Sequence, residues 1–193
     1  LNSDQLIIVV NTADDEEFHG LHVSPDIDTM MYTLSGLSNK KLGWGVTGDS
    51  QKGLSMLSRY GNPTWFTLGD KDLATHIKRT QLLRFGWNLS EVTRKLSHSL
   101  GISHLIAPMT DDKVRTLLHT DQGILKFQEY FVQHDHKPKI YKIDYVGASN
   151  AIPSTNFSTA LALSSSPWEI IPPDIAQDAS NPTSDRSGST MTL

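Results

Sequence analysis

The run Leu6-Ile7-Ile8-Val9-Val10 constrains this chain more than any other feature. Five successive apolar positions, four of them β-branched, leave a strand no polar face to turn to water. Such a strand is buried on both sides, as in a parallel sheet covered by helices. The run stops at Asn11-Thr12-Ala13-Asp14-Asp15 and a polar loop continues to Val23. Ser24 then offers an N-cap and Pro25 a first helical position, for a helix over about 26–37 with Met30, Met31 and Leu34 inward. Residues 43–48 form a glycine-rich bend. Asp49 can cap a helix through Leu54, Leu57 and Ser58, stopped by Gly61. The aromatic and β-branched stretch 64–68 reads as a second strand. Gly69-Asp70 turns it into a helix over about 71–85, with Leu73, Ile77, Leu82 and Leu83 as its apolar face. Ser90 caps another helix, ended by Gly101.

Beyond residue 104 the pattern changes to short strands: 105–109, a hairpin of 114–120 and 124–132 around Asp121-Gln122-Gly123, and 140–146. A helix at 155–163 and a strand at 168–171 follow. Strands alternating with helices before residue 110 imply a parallel sheet. The expected fold class is α/β: a Rossmann-like, mostly parallel sheet flanked by helices, with an inserted β-hairpin region at about 105–146. The domain is expected to span 1–171. Residues 172–193, rich in Pro, Ser, Thr, Asn and Asp, form a polar tail expected to be disordered or frameshifted.

Several chemistries are excluded. The chain has no cysteine, so thiol catalysis, disulfides and cysteine-bound zinc fall away. Its net charge of -4 and lack of a Lys/Arg block argue against nucleic acid. No run approaches the roughly 18 apolar residues of a membrane span. Gly-x-Ser-x-Gly, Walker and Gly-x-Gly-x-x-Gly motifs are absent. His19 with His22, and His134 with His136, lack a third ligand and read as solvated. Trp44, Trp65 and Trp87 read as packing residues.

The aspartates remain. In open parallel sheets ligands collect beyond the carboxyl ends of the strands. Asp14-Asp15 follows the first strand, Gly69-Asp70-Lys71-Asp72 follows the expected second, and Asp26 and Asp28 lie in a first helical turn. One such group could merely complement a helix dipole. Three near one sheet edge suit a hard cation such as magnesium, which takes oxygen ligands shared with a substrate's phosphates. Thr75, His76 and Arg79, one turn and a half into their helix, could hold a phosphate or a ring. Asp26-Ile27-Asp28-Thr29 also has the form of an aspartyl-nucleophile motif, but Pro25 stands where that motif needs a strand.

The same residues carry a resemblance. Val9-Val10-Asn11-Thr12-Ala13-Asp14-Asp15, His22-Val23-Ser24-Pro25-Asp26-Ile27-Asp28-Thr29-Met30-Met31-Tyr32 and Leu68-Gly69-Asp70-Lys71-Asp72-Leu73-Ala74-Thr75-His76 resemble the 2-phospho-L-lactate transferase family. So do Gly43-Trp44-Gly45, Ala107-Pro108-Met109-Thr110-Asp111-Asp112 and Phe127-Gln128-Glu129-Tyr130-Phe131. The likeness is continuous over about 6–151. It implies a magnesium-dependent transferase in the making of coenzyme F-420. The enzyme would move a 2-phospho-L-lactyl or phosphoenolpyruvyl group from a guanosine diphosphate-linked donor to the ribityl hydroxyl of 8-hydroxy-5-deazaflavin, releasing GMP.

Carried over by residue, the resemblance makes Asp14 and Asp28 the catalytic and metal candidates, with Asp15 beside them. Asn11, Ser24, Asp26 and Thr29 become substrate contacts, and Asp70, His76 and Arg79 an opposite wall. Thr67 stands where the family often has a basic residue. The family also opens with a strand and a glycine-rich turn ahead of the counterpart of Leu1, and continues differently after about residue 173. The expectation is therefore a fragment, cytoplasmic, acting on small molecules and not on nucleic acid or membrane, and a homodimer when full length. The alternative function is a non-catalytic nucleotide-sugar-binding regulator on a related fold, or an inactive fragment.

Overall fold

A computed structural model describes residues 6–163. The expected strand at 168–171 and the tail at 172–193 lie outside the described residues. Strand β1 (Ile7–Val10) leads through the Asn11–Asp15 loop into a hairpin of β2 (Glu16–Phe18) and β3 (Leu21–Val23). The stretch expected as plain loop thus holds two short strands. Their two-residue turn, His19-Gly20, has φ of 54° and 75°, as a type I′ hairpin turn requires. Four helices follow: α1 (Pro25–Leu34), α2 (Lys52–Arg59), α3 (Asp70–Arg84) and α4 (Leu89–Ser99).

Strand β4 (Leu105–Pro108) returns parallel to β1, pairing Ile7 with Leu105 through Val10 with Pro108. Strands β5 (Arg115–Thr120), β6 (Gly123–Lys126) and β7 (Ile140–Val146) form a separate antiparallel sheet in the order β6-β5-β7. Helix α5 (Thr155–Leu163) packs back on β1 and β4. This is a mixed α/β fold: a parallel pair flanked by helices, with the hairpin sheet inserted before α5. The main core lies between the parallel pair and α1 and α4: Val10, Ile27, Met31, Leu89, Ile102 and Ile106, padded by Met30, Leu34 and Leu96. Each aliphatic side chain fully buried there contributes about 1.5–3 kcal/mol. Among the described residues no helix is long and apolar enough to cross a membrane.

Four expectations change. The stretch 64–68 forms no strand; its aromatics serve side-chain packing instead. Phe18 stacks on Phe66 at 4.0 Å and meets Trp65 edge-on at 5.4 Å, fastening this stretch to the β2–β3 hairpin. Trp44 and Trp87, expected to pack, are exposed. The hairpin's second strand ends at Lys126, and a π-helical turn (Glu129–Gln133) follows. Helix α4 starts at Leu89, because Asn88 and Glu91 form a capping box that outbids Ser90.

The most telling difference is in caps. Asp49, expected to start α2, accepts instead from the backbone N–H of Lys71 and Asp72 at the start of α3, at 2.9 and 3.1 Å. Asp70, the first residue of α3, accepts from the N–H of Lys52 and Gly53 at the start of α2, at 3.1 and 2.9 Å. The two helices cap each other. Gly69 permits this: a Cβ there would sit 2.2 Å from an Asp49 carboxylate oxygen.

Candidate functional site

At the carboxyl end of β1 one amide holds two carboxylates. Asn11 Nδ2 donates to Asp14 Oδ2 at 2.7 Å and to Asp26 Oδ2 at 3.0 Å. Asn11 Oδ1 accepts from the Ala13 N–H, which fixes the amide's orientation. Asp14 comes from the loop after β1 and Asp26 from the first turn of α1, so the fold has joined two distant segments. Among the described residues neither carboxylate has a cationic partner in ion-pair contact. Burial pushes the Asp26 carboxyl up to about 6, and the charges of Asp14, Asp15 and Asp28 push the same way against the Asn11 hydrogen bond. Burial, aided by the charge of Asp15, also raises Asp14 against hydrogen bonds from Thr116 and Asn11.

Asp15, only 2% exposed, faces the other way. It accepts from Ser24 Oγ at 2.8 Å and lies 2.9 Å from His22 Nε2. Ser24 does occupy the N-cap position of α1, but its hydroxyl serves Asp15 and makes no cap hydrogen bond. His22, read as solvated, is thereby tied into the site.

Two residues further along α1 the balance reverses. Both oxygens of Asp28 accept from the guanidinium of Arg79, which is fully buried. Arg79 Nη1 also lies 3.3 Å from His76 Nδ1. The same Nδ1 lies 3.5 Å from Asp28 Oδ2. Nε2 lies 3.2 Å from Asp72 Oδ1, though off the line of a good hydrogen bond. Tyr32 donates to the same Asp72 oxygen at 2.7 Å. Burial opposes the charge on Asp72, but His76, Tyr32 and Arg79 outweigh it and hold its carboxyl below the usual range. The same carboxylates and burial push the Tyr32 phenol up. Helix α3 therefore turns Asp72, His76, Arg79 and Thr80 inward together with Leu82; of the apolar face expected, Leu73 and Leu83 are half-buried and Ile77 is exposed.

A cavity of about 360 Å³ opens beside the acidic pair, between the loop after β1, the facing ends of α3 and α4, and strands β5 and β6. Asp14 and Asp15 line it, together with His22, Asp111, Arg115 and Gln128. Gln128 Nε2 donates to the Asp14 carbonyl and Thr116 N–H to the Ala13 carbonyl, so β5 and the segment after β6 form one wall. Of the residues expected at the site only Asp14 and Asp15 line this cavity; Asn11, Ser24, Asp26, Asp28, Thr29, Asp70, His76 and Arg79 do not. Asp70 is committed to the start of α2, and Thr29, half-buried on α1, makes no side-chain hydrogen bond among the described residues. Tyr32, Asp72, His22, Thr116 and Gln128 were not among the site residues expected from sequence, although Asp72 stood in an acidic segment and His22 was read as solvated. The spacing of Asp72, His76 and Arg79 at i, i+4 and i+7 on one face was the available signal for the first two.

The family model described as 2-phospho-L-lactate transferase CofD matches residues 2–167. The chain belongs to that family. Among its 2-phospho-L-lactate transferase relatives, the protein so named from Methanopyrus kandleri is 41% identical over 147 residues, covering 76% of this chain and 47% of the relative. The phosphoenolpyruvate transferase of Mycobacterium bovis BCG is 39% identical over 165 residues, 82% of this chain and 50% of its own length. The chain thus spans about half the length of the curated CofD relatives it matches. Among solved structures, a UPF0052-family protein from Bacillus halodurans superposes with a TM-score of 0.48 at 13% identity, over 80% of this chain and 47% of that one.

Proposed function

We propose that this chain belongs to an enzyme that transfers a 2-phospho-L-lactyl or phosphoenolpyruvyl group from its guanosine diphosphate-linked donor to the ribityl hydroxyl of 8-hydroxy-5-deazaflavin, in coenzyme F-420 biosynthesis. The family and the names of its relatives support the transferase class. The observation that carries the site is the carboxylate pair Asp14–Asp26, without an ion-pair partner among the described residues: Asp14 lines the cavity, and Asn11 ties Asp26 to it. Two partly buried aspartates, bridged by one amide and both raised in pKa, form an oxygen-donor set short of positive charge. Such a set fits magnesium. Asp14 and Asp26 would hold it, with Asp15 behind them. Asp28 would join only by giving up Arg79. Bound there, the metal would supply charge neutralisation to a diphosphate.

In the transfer, the ribityl oxygen forms a bond to the phosphorus that bears the acid. The bond from that phosphorus to the bridging oxygen breaks, GMP leaves with the electron pair, and the hydroxyl proton is lost. This chain's residues serve to orient and to shield. Asn11 sets the angle between the two carboxylates, and Ser24 and His22 fix Asp15. The buried Arg79 network pins α1, and with it Asp26, against α3. Incubating the protein with the deazaflavin precursor, each guanylylated acid and magnesium, then weighing the products by mass spectrometry, tests the reading. The expected product is the precursor plus one phospho-acid. Unchanged precursor with both donors defeats the proposal. A change in deazaflavin fluorescence without a product would favour a binding protein instead.

A further inference from the structure

Arg115 is out of keeping with its neighbours. It opens β5 opposite Val146, is half-buried, and lines the cavity whose other wall carries Asp14. The cavity is rich in carboxylates, yet among the described residues Arg115 pairs with none. Its one hydrogen bond among them runs from Nη1 to the carbonyl of its own neighbour Val114. Most of the acids around it are engaged elsewhere. Asp15 serves His22 and Ser24, Glu16 holds Lys126, Asp111 accepts from the Ser90 N–H, and Asp112 accepts from the Ile152 N–H. Glu17, also in the lining, makes no ion pair with Arg115. A guanidinium kept partly out of water and not neutralised by these acids is placed for an anion that arrives from outside.

We propose that Arg115 is the carboxylate receptor of this cavity and fixes the donor's preference for an acid. The inference rests on the transferase reading above. The transferred group brings two kinds of negative charge, phosphate and carboxylate. The Asp14–Asp26 pair, with its cation, suits the phosphate oxygens. The carboxylate is left for a planar donor that can take it two oxygens at a time, which arginine does and lysine does not. Thr116, next to Arg115 in β5, is hydrogen-bonded to Asp14. The two receptors therefore line the same cavity, with neighbouring residues of β5 contributing to both.

The test is calorimetric titration of the whole chain, in magnesium buffer, with 2-phospholactate and with isopropyl phosphate. The second ligand keeps the phosphate and replaces the carboxylate by a methyl group. Wild-type protein should bind 2-phospholactate more tightly. Arg115→Ala should weaken 2-phospholactate by about ten- to a hundredfold and leave isopropyl phosphate within about twofold. Arg115→Lys should recover part of the loss, and it provides a second folded variant because only one hydrogen bond is at stake. Equal loss for both ligands would assign Arg115 to phosphate and overturn the inference, as would no loss for either. Wild-type protein that binds neither ligand would take the transferase reading down as well. Tight wild-type binding unaffected by Arg115→Ala would remove the Arg115 role alone.

Discussion

Asp26 and Asp28 stand two residues apart on α1, and their surroundings are opposite. Asp28 looks into the space between α1 and α3, where Arg79 meets both of its oxygens and the neighbouring Asp72 is held ionised by His76 and Tyr32. Asp26 looks toward the loop after β1, where its nearest polar neighbours are Asn11 and another carboxylate. One set of aspartates is balanced by the protein's own cation; the other has no such partner among the described residues. Each place gathers two carboxylates, buried in the first and half-buried in the second. What separates a structural group from a ligand set is whether the fold has supplied the counter-charge.

The contrast can be broken most sharply at Arg79. Arg79→Met leaves Asp28 buried and unpaired, and should destabilise the chain by about 3–5 kcal/mol in urea unfolding. Asp26→Asn, which removes an unbalanced charge, should destabilise little or even stabilise near neutral pH. Similar losses from both substitutions would erase the distinction.

The next largest effect is on pH dependence. Asp26 titrates near 6 in the folded chain against 3.8 when unfolded. Between those values the folded state binds more protons, so this group's contribution is full below about 3.8 and is lost as pH rises through 6. That amounts to up to about 3 kcal/mol. Asp72 has the opposite sign: its pKa is lowered, so its contribution is present above 3.8 and lost as pH falls. Unfolding free energies of wild type and Asp26→Asn, measured from pH 4 to 7, should converge at the acid end and separate at neutral pH. Parallel curves would show that Asp26 titrates normally.

A smaller effect, set by concentration, is that of the metal. Magnesium at a hundred times its dissociation constant should stabilise the wild type by about 2.7 kcal/mol. The gain in melting temperature should vanish in Asp14→Asn and persist in Asp72→Asn if that variant folds. A gain retained in Asp14→Asn would put the ion elsewhere. Smallest is Gly69→Ala, which pushes Asp49 off the start of α3 and should cost about 1–2 kcal/mol, roughly a lost N-cap. No change in the melting temperature would mean the cap survives.

Much of this arrangement could be read from the chain. The unbroken apolar run of β1 announced a parallel strand, though only Val10 of it is buried, and its polar continuation located the edge where Asn11, Asp14 and Asp26 meet. What could not be read was pairing across long separations. Nothing local says that Asp28 will find Arg79, 51 residues away, or that Asp49 will cap the helix after next rather than the next one. The stretch 64–68 misled because aromatic and β-branched residues favour strands by their fit to a half-buried surface, and Phe18 offers such a surface without a ladder. Helix α3 misled for the converse reason. Its buried face is mostly polar, so hydrophobic periodicity found Leu82 but missed Asp72, His76, Arg79 and Thr80.

The mutual capping of α2 and α3 has a dynamic consequence. Each helix start is closed by a side chain anchored at the other, so neither can fray alone: releasing Asp70 unties the beginning of α2 and loosens the chain that holds Gly69 against Asp49. The amide protons of Lys52, Gly53, Lys71 and Asp72 should then exchange with solvent as one group, on a common opening event, although some twenty residues of chain lie between the two pairs.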